Sequence, residues 1–222
     1  IIRRDIGSDL SEKCGCPVRI ANDGKCAALA EQRSGVLKGY QNAGVFIIGT
    51  GVGGGLIING KLLNGPHFTA GEYSFIRMNE SGDWSDRKNT MGDTCSTRGL
   101  LLMYRKEKGL PEDAPIDGFT FFENVVKGEK EANDVLEHFC RNVAMAVQNL
   151  TFLLDLEKVA IGGGISKQSV LIEGIRRQID ELHKNSGKVF DPNMPKATVD
   201  VCRFGNDANQ VGAFYLYQDA MA

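Results

Sequence analysis

The feature that most restricts the fold of this 222-residue chain is a run of glycines between apolar segments. Residues 45–48 form a continuous, β-branched apolar run that predicts a buried strand. The strand leads directly into residues 49–55, of which five are glycine. Residues 56–58, the Asn59-Gly60 pair and residues 61–63 then predict a strand, a two-residue turn and another strand. The glycines are therefore expected at a turn between strands.

Two common interpretations of a glycine loop do not fit this context. Residues 49–54 match the dinucleotide-binding pattern G-x-G-x-x-G, but a single match is a weak signal. That pattern requires a helix whose N-terminus faces the pyrophosphate, so a Rossmann oxidoreductase would need a helix at residues 53–55, where a hairpin is predicted instead. A P-loop is excluded because no Gly-Lys-Ser/Thr sequence follows.

The remaining interpretations are a phosphate-binding hairpin and a tight turn with packing glycines. In the actin and hexokinase fold, hairpins of this kind let backbone N–H groups approach nucleotide phosphates. Glycine suits that role because a Cβ would block the approach and because glycine adopts positive φ with little conformational strain. Thr50 adds a hydroxyl donor at the tip.

Composition narrows the class of protein further. The net charge is −2 with no clustered basic face, so nucleic-acid binding is not expected of this chain. No apolar run approaches the roughly 20 residues of a membrane span. Six cysteines without two close pairs give no readable zinc site, and Cys14 and Cys16 are interpreted as free thiols in a turn. A reduced, cytoplasmic protein is the simplest expectation.

The rest of the chain alternates between helical and extended patterns. Strands are also predicted over residues 18–21, 159–161 and 197–201. Helices are predicted over residues 6–13, 25–34, 96–108, 119–127, 132–154, 170–182 and 206–222. Residues 66–98 are rich in loops.

The corner Asn22-Asp23-Gly24 stands between the predicted strand 18–21 and the helix 25–34. Asp23 has two interpretations there. Its carboxylate could serve as a general base, or it could cap the N-terminus of the helix.

Taken together, these motifs resemble the ROK family, named for its repressors, open reading frames and kinases. Residues 21–31 are similar to the Glu-Asn-Asp-Ala-Asn-Ala-Ala-Ala-Leu-Ala-Glu run of ROK sugar kinases. The other family blocks follow in order over nearly the whole chain, at residues 48–55, 59–62, 70–72, 159–165, 206–208 and 212–213.

The resemblance implies an α/β fold of the ribonuclease H-like, actin/hexokinase type. It implies ATP-dependent phosphorylation of a hexose or hexose derivative, at the 6-hydroxyl. Asp23 would be the general base, and Asn22 and Glu72 would bind sugar hydroxyls. His67, in the loop before Glu72, is a further candidate sugar contact. A turn asparagine at Asn22 and a solvated loop acid at Glu72 are the structural alternatives.

The nucleotide side is assigned to two glycine segments. By the resemblance, Gly49, Thr50, Gly51 and Gly53 would hold the phosphates. Gly162, Gly163 and Gly164 would let the adenosine approach the backbone, and a strand-to-helix packing turn is the alternative there. Mg²⁺ is expected with ATP, held mainly by phosphates and water.

Departures from the family pattern concern the sugar side. The family's Cys-x-Cys-Gly-x-x-Gly-Cys zinc loop is replaced by residues 91–99, which contain only Cys95, so no structural zinc is expected. Phe75 replaces the family's histidine, a usual sugar contact. Ala21 and Gly24 replace the common Glu and Ala around Asp23. These changes leave open which sugar is used.

The resemblance also divides the chain. Residues 1–20 are interpreted as the end of an N-terminal lobe, residues 21–205 as a sugar- and ATP-binding lobe, and residues 206–222 as a closing helix that packs back towards the first lobe. The family's Asp-x-Gly-Gly-Thr phosphate loop is not found, and the chain does not begin with Met, so a fragment is expected. A homodimer is a further expectation. A ROK sugar-sensing repressor without kinase activity is the alternative function, although such repressors usually keep the zinc loop.

Overall fold

The computed structural model describes residues 5–80, 88–186 and 193–221, and within them a five-stranded mixed sheet of order β3-β2-β1-β4-β5. The strands are β1 (Ala43–Ile48), β2 (Val52–Ile58), β3 (Lys61–Leu62), β4 (Lys158–Gly162) and β5 (Thr198–Val201). The helices are α1 (Ile6–Cys14), α2 (Asp23–Ser34), α3 (Met91–Thr94), α4 (Thr97–Glu107), α5 (Gly118–Val126), α6 (Lys130–Leu154), α7 (Ser169–Ser186) and α8 (Ala208–Met221). None of the helices in these segments has the length and apolar content that would let it cross a bilayer.

The central strand β1 brings the two glycine segments together. It pairs antiparallel with β2, with Ile48 opposite Val52, so the turn between them contains only residues 49–51. On its other side β1 pairs parallel with β4 and places Ile47 beside Gly162. Parallel neighbours end at the same edge of a sheet, which is where ligands bind in open α/β sheets. The glycine turn and the glycines after β4 therefore lie at one edge.

Helices cover both faces of the sheet. Phe46 and Ile48 of β1 pack into the main core, which includes residues of α6 and α7. Val45 of the same strand faces a second cluster that contains Ala28 of α2 and Ala160 of β4. This alternation follows from the two-residue period of a strand. Helix α2 therefore covers the face of the sheet on which Val45 lies.

Most predicted elements are present with shifted bounds. The helix predicted to start at residue 25 begins at Asp23, and the closing helix begins at Ala208, after a 3₁₀ turn over Gly205–Asp207. The strand predicted at residues 18–21 is wrong. Within the described part of the chain that segment pairs with no strand, and Ile20 is 60% exposed. A strand needs a partner's N–H and C=O groups, and the sheet ends at β3 and β5.

The closing helix packs on α2. A Cβ built on Gly212 of α8 would lie 1.8 Å from the carbonyl oxygen of Cys26, so only glycine allows this approach. Away from this contact, α8 leaves Phe214 and Met221 exposed. That α8 also packs against another lobe stays a prediction.

A buried carboxylate fixes the C-terminal end of α2. Glu31 is fully buried, and its Oε2 accepts from the N–H of Val36 at 2.9 Å. Its Oε1 accepts from the N–H of Phe204 at 3.2 Å, in the connection between β5 and α8. One side chain therefore links α2 to two other segments.

We expect Glu31→Ala to lower the free energy of unfolding by about 2–5 kcal/mol, because two backbone donors lose their acceptor and a cavity forms. Urea unfolding followed by circular dichroism measures this change. Glu173→Ala, at an exposed position on α7, is the matched control and should change stability by less than about 0.5 kcal/mol. Equal stability of the two variants would contradict the role of Glu31.

Candidate active site

Asp23 is the first residue of α2 but not its cap. The side chain of Asn22 accepts from the N–H of Lys25 at 3.0 Å and so caps the helix. The capping interpretation of Asp23 is therefore wrong. The Asp23 side chain is exposed, and its Oδ1 accepts from the N–H of Gly24 at 2.8 Å. The helix start thus places the Asp23 carboxylate at the positive end of the helix dipole, with the N–H of Gly24 already bonded to it.

The glycine turn, residues 49–51, is short and closed by its own backbone. The N–H of Gly49 donates to the carbonyl of Gly51 at 2.9 Å. At the base of α4, the N–H of Thr97 donates to the carbonyl of Gly49 at 2.8 Å. The turn is therefore attached to α4 as well as to the two strands that it joins.

Two glycines in contact fix Asp23 relative to this hairpin. A Cβ on Gly24 would lie 2.5 Å from the nitrogen of Gly54. Gly54 itself has φ +149°, and a Cβ there would lie 1.8 Å from the carbonyl oxygen of Val45. The replacement of the family's usual alanine by Gly24 therefore has a packing reason, because α2 lies directly on the backbone of β2.

Glu72 approaches from a third segment. It precedes the 3₁₀ turn Tyr73–Phe75, and its Oε1 accepts from Nδ2 of Asn22 at 3.4 Å. The adjacent Gly71 has φ +85°, and a Cβ there would lie 3.0 Å from Cα of Gly55. The loop that carries Glu72 is thus packed against β2, on the side of the Asn22 cap.

Ser74 connects the Glu72 loop to the hairpin, and sequence reasoning missed it. Its Oγ accepts from the N–H of Val52 at 2.8 Å and lies 3.1 Å from the Val52 carbonyl, to which it can donate. A Cβ on Gly51 would lie 2.9 Å from the same oxygen, and a Cβ on Gly92 of α3 would lie 2.9 Å from Cβ of Ser74. No motif pointed to this residue, because its contacts are non-local.

We expect Ser74→Ala to lower the free energy of unfolding by about 1–3 kcal/mol, since both hydrogen bonds to Val52 are lost. Ser169→Ala, at the exposed start of α7, is the matched control. Thermal unfolding of both variants measures the difference. A melting temperature of Ser74→Ala equal to that of Ser169→Ala would contradict the connection.

These segments enclose one cleft of about 280 Å³. It brings together six of the residues predicted for the site: Asn22, Asp23, Gly49, Gly51, Gly53 and Glu72. The other residues that line it are Gly24, Ile47, Val52, Gly54, Ser74 and Asn209. Asn209, in the first turn of α8, was also missed, although the neighbouring block at residues 206–208 belongs to the motif that identified the closing helix.

Five predicted residues do not line this cleft. Thr50 is exposed at the tip of the turn, and His67 is exposed in the loop before Glu72. A Cβ on Gly162 would lie 2.7 Å from Cδ1 of Ile47, and one on Gly163 would lie 2.1 Å from the carbonyl oxygen of Ile48. These two glycines thus have a packing role, whereas Gly164 is exposed with nothing within 4 Å of its Cβ position.

The segment that replaces the family's zinc loop is held by protein contacts. Cys95 is fully buried, and burial raises the pKa of its thiol to about 12. This thiol is therefore protonated at neutral pH. In the described residues, no group of three or more His, Cys, Asp or Glu side chains is placed to hold a metal.

A mixed sheet with helices on both faces and a cleft at its edge define an α/β protein of the ribonuclease H-like, actin/hexokinase type, as predicted. Residues 3–220 match the ROK family, and the chain belongs to that family.

Three similar proteins illustrate the range of the family. The chain is 28% identical to a beta-glucoside kinase of Klebsiella pneumoniae, over 94% of this chain and 66% of that protein. It matches the structure of a Streptomyces griseus ROK glucokinase in complex with glucose and AMPPNP, with 26% identity and a TM-score of 0.79, over 95% of this chain and 71% of that one. It matches a ROK transcriptional regulator, a homologue of the E. coli MLC protein, with 25% identity and a TM-score of 0.75, over 96% and 55% of the two chains. The chain spans about two thirds of the length of its curated relatives.

Proposed function

We propose that the complete protein transfers the γ-phosphoryl group of ATP to a hydroxyl of a hexose or hexose derivative, the 6-hydroxyl. The observation that carries this proposal is the cleft in which exposed Asp23 lies beside the glycine hairpin and Glu72. Similarity to a beta-glucoside kinase and to a glucokinase bound to glucose and AMPPNP supports the same reaction. Glucose and glucosides are therefore the first substrates to test.

In this reaction Asp23 is the general base. The carboxylate accepts the proton of the sugar hydroxyl while the hydroxyl oxygen forms a bond to the γ-phosphorus. The bond from that phosphorus to the β–γ bridging oxygen breaks, and ADP leaves with the electron pair. Positioned proton transfer of this kind contributes about 10²–10⁴-fold to rate. Phosphoryl transfer otherwise depends on positioning and on charge neutralisation.

The two sides of the cleft hold the two substrates. On the sugar side, Asn22 and Glu72 bind hydroxyls, and His67 is a further candidate from the preceding loop. Glu72 accepts hydrogen bonds from the hydroxyls on the reducing-end side of the ring. A hydrogen bond of 3.4 Å between Asn22 and Glu72 supports a shared role of these two side chains on the sugar side.

On the nucleotide side, the backbone of Gly49, Thr50, Gly51 and Gly53 binds the phosphates. The segment of Gly162, Gly163 and Gly164 at the same sheet edge approaches the adenosine, most openly at Gly164. Mg²⁺ enters with ATP and neutralises phosphate charge. Cytoplasmic location and a homodimer stay predictions.

A sugar-sensing repressor is the second candidate function. The similar transcriptional regulator covers 96% of this chain, so a sensor would contain the same lobe. The absence of the usual cysteines from residues 91–99 favours the kinase, because repressors of the family usually keep the zinc loop.

Release of ADP separates the two candidates. The full-length protein is incubated with Mg-ATP and a panel of glucose, glucosides, N-acetylmannosamine and fructose, and ADP is measured in a coupled assay. The kinase predicts ADP release that depends on one sugar or sugar class. Sugar binding with no ADP release from any member of the panel would overturn the proposal in favour of the sensor.

A further inference from the structure

A buried lysine holds the loop that leads to Glu72. Lys25, in the first turn of α2, is 3% exposed. Its Nζ donates to the carbonyl of Phe68 at 2.7 Å and to that of Asn64 at 3.3 Å. Burial of an ammonium group is costly unless its donors are satisfied, and here the carbonyls of the loop satisfy them. Lys25 and residues 64–68 therefore stabilise one another.

The conformation of Phe68 is consistent with this contact. The residue has φ +58°, a value that is unusual for a bulky side chain, although it is 71% exposed. Its ring centroid lies 5.6 Å from Nζ of Lys25, the same nitrogen to which its carbonyl is bonded. Cations are attracted to the face of an aromatic ring at this distance. Both contacts act on one buried charge, which gives the turn a structural cause within the protein.

Two routes of hydrogen bonds connect Lys25 to Glu72. Through the backbone, the N–H of Lys25 donates to Oδ1 of Asn22 at 3.0 Å, and Nδ2 of Asn22 donates to Oε1 of Glu72 at 3.4 Å. Through the side chain, Nζ binds the carbonyl of Phe68, and the carbonyl of the next residue, Thr69, accepts from the N–H of Glu72 at 3.2 Å. The two routes close a ring that includes both residues proposed to bind sugar hydroxyls.

Strand β2 provides a second attachment of the same loop. A Cβ on Gly71 would lie 3.0 Å from Cα of Gly55, and a Cβ on Gly55 would lie 3.4 Å from Cα of Lys25. The sheet therefore holds the loop at the residue before Glu72, whereas Lys25 holds residues 64–68. Loss of the ammonium would leave the first attachment in place and remove the second.

Lys25 is also a departure from the family run to which residues 21–31 are similar. That run, Glu-Asn-Asp-Ala-Asn, has asparagine at the position of Lys25. An asparagine side chain is shorter and uncharged, so it could not replace Nζ in the contact with Phe68 while the loop keeps this conformation. The attachment through Nζ is therefore a property of this chain's own sequence.

We propose that Lys25 is a positioning residue for the sugar side of the cleft. Its ammonium holds the loop in the conformation in which Glu72 and Asn22 bind the same hexose. This role rests on the proposed function, because it requires a sugar at those two side chains. Loss of the ammonium should weaken sugar binding and spare the nucleotide, because residues 49–53 are held by Ser74 and Thr97 instead.

Hydrogen–deuterium exchange of the full-length protein tests the attachment without any ligand. Lys25→Met keeps the apolar stem and removes the ammonium, and Lys38→Met makes the same change at an exposed position. We expect the amides of residues 64–72 to exchange about tenfold faster in Lys25→Met alone, with exchange in α6 unchanged. The melting temperature of Lys25→Met should stay within about 4 °C of wild type, since hydrogen bonds are lost but a charge is no longer buried.

Calorimetry and steady-state kinetics test the consequence for the sugar. The three proteins are titrated with glucose, or with the panel sugar that wild type binds most tightly, and separately with AMPPNP. We expect Kd and KM for the sugar to rise about tenfold in Lys25→Met, with a smaller change in kcat and with AMPPNP affinity within about twofold of wild type. A general loss of folded protein would instead affect sugar and nucleotide alike.

Three outcomes would overturn the role of Lys25. They are equal exchange over residues 64–72 in Lys25→Met and Lys38→Met, unchanged sugar affinity despite faster exchange, and failure of Lys25→Met to fold. Failure of the proposed function is recognised separately from the wild type. Wild type that binds sugar but releases no ADP would refute the kinase, and calorimetry would still decide the role of Lys25. Turnover by wild type with equal sugar affinity in both variants would refute the role of Lys25 and leave the kinase standing.

Discussion

Replacing Asp23 with asparagine is expected to lower kcat for the sugar by about 10²–10⁴-fold, with little change in sugar affinity. Asparagine has nearly the same shape but cannot take the hydroxyl proton. Helix α2 should still form, because the cap is provided by Asn22 and not by Asp23. Steady-state ADP release gives kcat, and calorimetry gives the affinity for sugar.

The matched control is Asp113→Asn, which makes the same chemical change at an exposed loop position. Its kcat should stay within about twofold of wild type. A kcat of Asp23→Asn that stays within tenfold of wild type, with sugar affinity intact, would show that another group takes the proton.

The second large effect is expected at Gly54. A Cβ there would lie 1.8 Å from the carbonyl oxygen of Val45 and 2.8 Å from the Tyr73 ring, at φ +149°, which side chains rarely adopt. Because β1, β2 and the start of α2 meet at this residue, Gly54→Ala should destabilise the protein by about 4 kcal/mol or more. Urea unfolding or soluble yield at 25 °C measures the loss.

The neighbouring glycine provides the control. Gly53 lies in the same strand, has no atom within 4 Å of its Cβ position and is exposed. Gly53→Ala should therefore change stability by less than about 1 kcal/mol. If the two alanine variants unfold at the same urea concentration, the close contact of α2 with β2 does not hold.

Local patterns predicted the hairpin correctly because its determinants are adjacent in sequence. The apolar run at residues 45–48, the glycines that follow and the Asn59-Gly60 pair act within one stretch of chain. For residues 18–21, reliance on local sequence alone gave a wrong prediction. Their composition suits a strand, but pairing depends on a partner elsewhere.

The contacts that align the site could not be predicted, because they join distant segments. Gly24 packs against the backbone of Gly54, and Ser74 forms a hydrogen bond with Val52. These partners are 30 and 22 residues apart in sequence, and no local sequence pattern predicts such contacts. Lys25 was assigned only to a helix, although its ammonium reaches the carbonyl of Phe68. Family resemblance predicted a general base at Asp23, which stays a prediction, whereas the arrangement of the residues around it could only be seen in the structure.

The most direct test of the proposed reaction is the identity of its product. Full-length protein, Mg-ATP and the preferred sugar are incubated, and the mixture is analysed by mass spectrometry and by phosphorus–proton correlation NMR. The proposal predicts one sugar phosphate for each ADP, with the phosphorus coupled to the protons on carbon 6. ADP formed without a sugar phosphate, or sugar that binds and is recovered unchanged in the presence of ATP, would contradict it.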